Sequence, residues 1–293
     1  ESYQLVNKRF AEVIETELPD LSAPVFIQDY HLALVAASVR KLQPGLKTAL
    51  FWHIPWPSPD RLRMCPWRRD LISGLLGNDL IAFQLDRDRR NFLVAAREEL
   101  SLETTRNTVR IGNRIVAVKA VPIGVDYDRI QRIAHDPDLD VEISKLRHEL
   151  NLDTPIVGIG VDRLDYTKGV LERLDALELL IQRRPDLRDK ITFVQIGVPS
   201  RSRLPSYVDV VEAIDRKVNE INENYGLGRD LIRYRKSALR IRRLVALYRL
   251  ANFCIVSSLH DGMNLVAKEF VAAREDDDGV LILSEMAGAA QQL

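Results

Sequence analysis

The run Asp261-Gly262-Met263-Asn264-Leu265-Val266-Ala267-Lys268-Glu269 sets two carboxylates eight positions apart, across a glycine turn and the opening turns of an expected helix. At its centre, Met263, Asn264 and Leu265 would present free backbone N–H groups at a helix N-terminus, a ready site for a phosphate or another anion. Asp261 falls just before that helix and Glu269 more than one turn into it, where each could hold a sugar hydroxyl. An anion cradle flanked by hydroxyl acceptors is what a sugar-nucleotide site requires.

A second group of the same kind is Asp162-Arg163-Leu164-Asp165-Tyr166-Thr167-Lys168-Gly169, expected as a strand-to-helix loop with two cations five positions apart. Arg163 and Lys168 could both reach a diphosphate. A guanidinium grips phosphate oxygens bidentately while an ammonium acts as a mobile point charge, a pairing suited to charge building on a leaving group. The competing reading pairs them with Asp162 and Asp165 on the surface, where ion pairs contribute only ~0–1 kcal/mol. Neither a phosphate-binding loop of the Gly-x-x-x-x-Gly-Lys type nor a Gly-x-Gly-x-x-Gly fingerprint fits, because Gly158 and Gly160 lie within the expected strand and no third glycine follows. Arg201 and Arg203, after a later strand and on either side of Ser202, offer a further anion site or a solvated basic loop. The basic run from Arg233 to Arg249 is interleaved with Leu239, Ile241, Leu244, Val245 and Tyr248 at helical spacing, so an amphipathic helix is expected there and not a nucleic-acid surface.

Asp29 and His53 each follow a short apolar run, Val25 to Ile27 and Thr48 to Trp52. In open parallel sheets ligands bind beyond the carboxyl ends of the strands, so these positions share one rim. Pro55, Pro57 and Pro59 would stiffen the loop that aims His53. Asp29 could instead be a helix N-cap and His53 a satisfied structural histidine; their occurrence after consecutive strands favours function. Trp52, Trp56 and Trp67 are expected to pack near the same loop.

The elements that must position these residues alternate. Residues 2–18 show helical spacing that Pro19 and Pro24 end; helices are then expected over 31–42 and 67–76, and strands over 25–27, 48–52 and 80–83. Strands over 108–111 and 114–121 flank a Gly112-Asn113 hairpin turn. After Pro122 the chain is polar and charged to about Asp153, and this stretch reads as the interdomain connection. The cycle then restarts, with strands over 156–161, 191–196, 253–256 and 280–283 and helices over 170–184, 207–225, 240–250 and 265–274. Short buried strands alternating with helices imply βαβ units and parallel sheets. The expected fold is α/β with two successive sheets, one in each of two domains, 1–138 and 139–293.

A 293-residue chain that is 46% hydrophobic can bury two ordinary cores. Its 42 basic and 42 acidic residues cancel, so no overall field favours nucleic acid. Cys65 and Cys254 lack metal-ligand spacing and read as thiols of a reducing compartment. No apolar run is long enough for a membrane span and no signal-peptide pattern opens the chain, so a cytoplasmic location without membrane partners is expected.

With these pieces in place the chain resembles the trehalose-6-phosphate synthase family of retaining glycosyltransferases. The resemblance runs along essentially the whole chain. It is carried by Asp29-Tyr30-His31-Leu32, His53-Ile54-Pro55-Trp56-Pro57, Gly77-Asn78-Asp79-Leu80, Phe83-Gln84, Pro122-Ile123-Gly124-Val125, Arg163 to Gly169, Pro199-Ser200-Arg201, Asp261 to Glu269 and Ala287-Gly288-Ala289-Ala290. It implies two Rossmann-like domains facing across a cleft (the GT-B architecture), 1–138 on the acceptor side and 139–293 binding the nucleotide sugar. Family members carry an earlier glycine-containing segment and a C-terminal helix outside these residues, so the N-terminal domain is expected to be incomplete.

The resemblance implies that Arg163 and Lys168 bind the donor diphosphate, Glu269 the ribose, the backbone of Met263, Asn264 and Leu265 the phosphates or donor glucose, and Leu244 the base. By the same carry-over His53 contacts the donor sugar, Asp29 the acceptor sugar, Asp261 the reacting sugars and Arg201 the acceptor phosphate. The implied catalytic set is Asp29, His53, Arg163, Lys168 and Asp261. The implied reaction moves glucose from a nucleoside-diphosphate glucose, UDP-glucose by preference, to glucose 6-phosphate with retention, with no metal and no cofactor beyond the nucleotide-sugar substrate. Gln28, His260 and Gln292 depart from the family's usual histidine, arginine and glutamate and bear on substrate choice. A glucosylglycerol-phosphate synthase is the nearest alternative, and a noncatalytic module binding sugar nucleotide or partner subunits is the alternative of another class. A homo-oligomer is compatible with either.

Overall fold

In the computed structural model, which describes residues 1–18, 23–201, 203–274 and 278–293, the chain divides into two units, Glu1–Ile123 and Gly124–Leu293. Pro19 and Ser202, named above, lie outside the described residues.

The first unit runs α1 (Ser2–Glu17), β1 (Val25–Gln28), α2 (Val35–Leu42), β2 (Thr48–Trp52), α3 (Pro59–Leu62), α4 (Arg68–Leu75), β3 (Leu80–Phe83), α5 (Asp86–Leu100), β4 (Glu103–Thr104), β5 (Thr108–Ile111) and β6 (Arg114–Ala120). Its sheet has the order β1-β2-β3-β6-β5-β4, parallel from β1 to β6 and antiparallel beyond. Gly112 takes the left-handed φ of 56° that the β5–β6 turn needs. Leu50, Ile81, Phe83, Phe92, Val116 and Val118 form the centre of the core with no exposed surface. Trp52 and Trp56 join it, whereas Trp67 is exposed. Helical spacing from His31 holds only from Val35 onward, because a single 3₁₀ turn at Tyr30–Leu32 comes first.

The second unit opens with α6 (Tyr127–Ala134) and α7 (Leu139–Glu149), followed by β7 (Ile156–Leu164), α8 (Val170–Arg183), β8 (Ile191–Pro199), α9 (Pro205–Tyr225), β9 (Ile232–Arg235), α10 (Ile241–Leu250), β10 (Phe253–Val256), α11 (Leu265–Ala273) and β11 (Val280–Leu283). The charged stretch after Pro122 is therefore not a connection, and the division falls at 123/124 in place of 138/139. Ile130, Ala134, Leu139 and Leu146 are buried, and Gln131 Nε2 donates to Ala272 O at 2.7 Å. The acidic groups of this stretch meet the basic side of α10: Asp136 pairs with Arg242, and Glu142 with Arg243 at 2.8 Å. Charge that reads as solvated linker is thus a complementary helix surface.

The second sheet is parallel throughout, in the order β11-β10-β7-β8-β9. β8 and β9 extend from one side of β7, and β10 and β11 from the other. That reversal makes the carboxyl ends of β7 and β10 a topological switch point, the place where such sheets open a crevice for ligands. β7 is longer than the apolar run predicts, since Asp162, Arg163 and Leu164 stay paired with Gly197, Val198 and Pro199 of β8. Gly160 permits this strand to pass a buried guanidinium, because a Cβ there would lie 2.1 Å from Arg173 Nη1. Arg173 donates to Asp162 at 2.7 Å and to Gln195 at 2.9 Å, so its charge is paired inside the core.

Candidate active site

The loops after β7 and β10 are stitched into one body. Leu259 N–H donates to Thr167 O at 2.8 Å, and the Ser257 hydroxyl to Gly169 O at 2.7 Å. Gly169 sits at φ 64° with its Cα hydrogen toward Ser257, where a Cβ would lie 2.2 Å from the carbonyl oxygen. Lys168 is thereby aimed across the switch point, and its Nζ lies 2.6 Å from Asp261 Oδ2. The same oxygen accepts from Asn264 Nδ2 at 3.2 Å and from the Ser258 hydroxyl at 3.3 Å. This cluster answers the alternative raised from sequence: Asp162 is taken by Arg173, and Asp165 accepts the Thr167 N–H at 3.0 Å, so neither claims Lys168.

Asn264 caps α11, accepting the Ala267 N–H at 3.1 Å from a buried position with φ 76°. Such a φ in a residue other than glycine is strained and persists where the surroundings impose it. By helix geometry the N–H groups of Leu265 and Val266 have no acceptor within α11, and the cap takes only that of Ala267. The dipole adds partial positive charge at the same place. Behind the turn, Asp261 N donates to Met286 O at 3.1 Å and Ala289 N to Met263 O at 2.7 Å. Gly288 makes this contact feasible, since a Cβ would sit 2.0 Å from Gly262 O. The Ala287-Gly288-Ala289 run is therefore a buttress for the Asp261 turn.

Arg163 lies in β7 and not in the loop after it; it is exposed, and no hydrogen bond or ion pair holds its guanidinium among the described residues. Glu269 is half-buried on α11, where burial pushes its carboxyl up and a hydrogen bond from the Tyr248 hydroxyl, 3.1 Å from Oε2, works the other way. Tyr248 itself is fully buried, and burial together with the Glu269 charge keeps the phenol protonated. Leu244 is half-buried on α10, and Met263 is buried. Arg201 donates from Nη1 to Tyr207 Oη at 2.7 Å, and the Tyr207 hydroxyl donates to Asp165 Oδ2 at 3.3 Å.

In the first unit, Asp29 and His53 do share a rim. Asp29 N–H donates to Phe51 O at 2.8 Å, and the Asp29 carboxylate accepts from the His53 backbone N–H at 3.0 Å. Asp29 precedes a 3₁₀ turn without capping it, and holds φ 65° and ψ 178°, a combination strained for any side chain. His53 Nε2 lies 2.8 Å from Gln28 Oε1 and its ring 4.7 Å from that of Phe51. Trp56, packed edge-on against Phe83 and Phe92, anchors the proline-rich loop that follows. Among the described residues no group of three or more His, Cys, Asp or Glu side chains converges as metal ligands, and no helix is long and apolar enough to cross a membrane.

Sequence reasoning passed over Ser258, Tyr207 and the polar use of Tyr248. Ser258 could have been found from its place just past β10; Tyr248 was absorbed into an apolar helix face, and Tyr207 carries no local signal.

A helix N-terminus beside paired polar groups at the switch point of a parallel sheet is the geometry of an α/β protein whose crevice lies beyond its strand ends. The chain belongs to glycosyltransferase family 20, whose pattern matches residues 1–293. It is 41% identical over 302 residues to a trehalose-6-phosphate synthase of Mycobacterium sp. (strain KMS), covering 99% of this chain and 61% of that protein. Its fold matches that of an α,α-trehalose-phosphate synthase (UDP-forming) from Burkholderia xenovorans in complex with glucose-6-phosphate, with TM-score 0.91, 32% identity, and coverage of 99% of this chain and 65% of that one. It likewise matches trehalose-6-phosphate synthase from E. coli bound with UDP-2-fluoro glucose, with TM-score 0.89, 32% identity and coverage of 99% and 64%. The chain thus spans less than two thirds of the length of these proteins.

Proposed function

We propose that these residues belong to a retaining glucosyltransferase that moves glucose from a nucleoside-diphosphate glucose to glucose 6-phosphate, giving trehalose 6-phosphate. The observation that carries this reading is the Lys168–Asp261 cluster beside the open N-terminus of α11, at the β7/β10 switch point. The relatives bound to glucose-6-phosphate and to a UDP-glucose analogue support the two substrate classes. UDP-glucose is the donor of choice.

In this mechanism the acceptor hydroxyl attacks the donor's anomeric carbon on the face from which the diphosphate departs. The anomeric C–O bond to the diphosphate breaks, and a departing phosphate oxygen takes the hydroxyl proton. Arg163, Lys168 and the Leu265 and Val266 N–H groups stabilise the growing negative charge, which is the kind of preorganised electrostatics that accelerates such steps most. Glu269 takes the ribose hydroxyls, Leu244 the base, and Met263 and Asn264 the donor through their backbone. Asp261 holds a sugar hydroxyl, His53 the donor sugar, Asp29 the acceptor sugar and Arg201 its phosphate. The nucleotide sugar is substrate and not cofactor, and the reducing cytoplasm suits the free Cys65 and Cys254.

The test is turnover by the complete protein with UDP-, ADP- and GDP-glucose against glucose 6-phosphate and glycerol 3-phosphate, reading product identity and anomeric configuration by NMR. Trehalose 6-phosphate with retained configuration is expected. Glucosylglycerol phosphate would move the assignment to the neighbouring transferase, and nucleotide-sugar binding without turnover would support the noncatalytic reading.

A further inference from the structure

Tyr207 stands in the first turn of α9 and is only 5% exposed, yet its hydroxyl is spent on two charged groups that belong to adjacent strand ends. Asp165 directly follows β7, and Arg201 lies two residues past β8. The hydroxyl accepts from Arg201 Nη1 at 2.7 Å and donates to Asp165 Oδ2 at 3.3 Å. The other oxygen of Asp165 accepts the Thr167 N–H at 3.0 Å and the Thr167 hydroxyl at 2.9 Å, while Asp165 O accepts the Lys168 N–H at 3.0 Å. The turn that aims Lys168 and the side chain of Arg201 are thus linked through one carboxylate and one phenol. We propose that Tyr207 is a positioning residue that presets the Arg201 guanidinium for the acceptor's phosphate and couples that grip to the turn carrying Lys168; this rests on the functional reading above.

The direction of each bond is what makes the link effective. Burial works to raise the Asp165 carboxyl, but the Thr167 groups, Tyr207 and nearby Lys168 outweigh it and hold the carboxyl below its ordinary value. An ionised carboxylate accepting from the phenol polarises it, and its oxygen becomes a better acceptor for the guanidinium. Arginine has five donors in a planar fork, so a bond to Tyr207 is compatible with a two-point hold on phosphate. The φ of 50° at Arg201 and the guanidinium stacked 5.4 Å over the Tyr207 ring restrict the same side chain further. Without the hydroxyl, the Arg201 guanidinium loses one of the bonds that fix its pose, and more of its ordering falls on each encounter with the phosphate.

The experiment is Tyr207→Phe in the complete protein, which keeps the buried ring, with melting temperature checked alongside. The KM for glucose 6-phosphate should rise about tenfold, equivalent to about 1.4 kcal/mol, with kcat and the donor KM far less affected. On an Arg201→Lys background the same change should add little, because an ammonium cannot hold phenol and phosphate in the same fork. The inference is overturned if Tyr207→Phe leaves the acceptor KM unchanged, if it lowers kcat and raises both KM values together, or if its effect multiplies in full with that of Arg201→Lys. Failure of the functional reading has a separate signature: the unmutated protein would show no turnover that depends on glucose 6-phosphate, and both would fall.

Discussion

Replacing Lys168 by alanine in the complete protein removes an ammonium that lies 2.6 Å from Asp261 Oδ2, within a pair whose side chains are only 15% and 14% exposed. A charge held this far from solvent is poorly screened. One unit of negative charge developing about 4 Å away would interact with it by roughly 4 kcal/mol at an effective dielectric of about 20. Each ~1.4 kcal/mol is a tenfold rate change, and in the proposed mechanism Arg163 and the α11 N-terminus share the departing phosphate. The expected loss in kcat is therefore about a hundredfold or more, for Lys168→Ala and for Arg163→Ala alike. Steady-state kinetics with UDP-glucose and glucose 6-phosphate reads it. The alternative role for Lys168, neutralising Asp261, is separated by setting Lys168→Ala/Asp261→Asn against Asp261→Asn alone: if neutralisation were its task, the double variant would be no slower than Asp261→Asn. Near-normal kcat for both single variants at Lys168 and Arg163, or a double variant no slower than Asp261→Asn, refutes the reasoning.

Two further changes test the scaffold of the site. Gly169→Ala forces a Cβ to within 2.2 Å of Ser257 O from a left-handed backbone, so it should destabilise the second unit by roughly 2–4 kcal/mol and lower donor affinity; a melt and a binding curve indistinguishable from the parent would contradict this. Asp88 is fully buried, and desolvation pushes its carboxyl from 3.8 up to about 6, against the partial help of Arg87. A raised folded value means the native state binds the proton more tightly, so the contribution of Asp88 to stability declines as pH rises through about 4 to 6. Asp88→Asn should then be more stable than the parent at pH ~7.5, by on the order of 1–3 kcal/mol, with the gap closing below pH ~4; denaturant unfolding at both pH values measures it, and a gap that widens on acidification overturns the assignment.

Much of this architecture can be read without coordinates, and the parts that cannot share a cause. Thr48–Trp52, Leu80–Phe83, Thr108–Ile111, Phe253–Val256 and Val280–Leu283 are strands with the expected bounds, because each is a continuous apolar or alternating run closed by turn residues. α5 is hidden at its start by Asp86-Arg87-Asp88-Arg89-Arg90, although Phe92, Leu93, Ala95 and Ala96 give it a buried face. α6 and α7 are read as linker because their charges find partners on α10, which only tertiary structure reveals. The Arg163 and Lys168 cations and the Asp261 turn are legible from residue type near a strand end, whereas the place of Arg163 within β7 and the Asn264 cap of α11 are not. Which carboxylate each cation meets is not legible. Lys168 and Asp261 are 93 positions apart, Tyr207 and Asp165 are 42 apart, and no local pattern distinguishes Asp261 from the nearer Asp165 as the partner.

The central claim is that the β7/β10 switch point seats a nucleoside diphosphate. A crystal structure of the complete protein with UDP-glucose tests it most directly. Diphosphate oxygens within hydrogen-bond reach of Arg163, of Lys168 and of the Leu265 and Val266 N–H groups, with the ribose on Glu269, are the expected result. A nucleotide bound elsewhere, with the Lys168–Asp261 pair undisturbed and the α11 N-terminus facing only water, would contradict it.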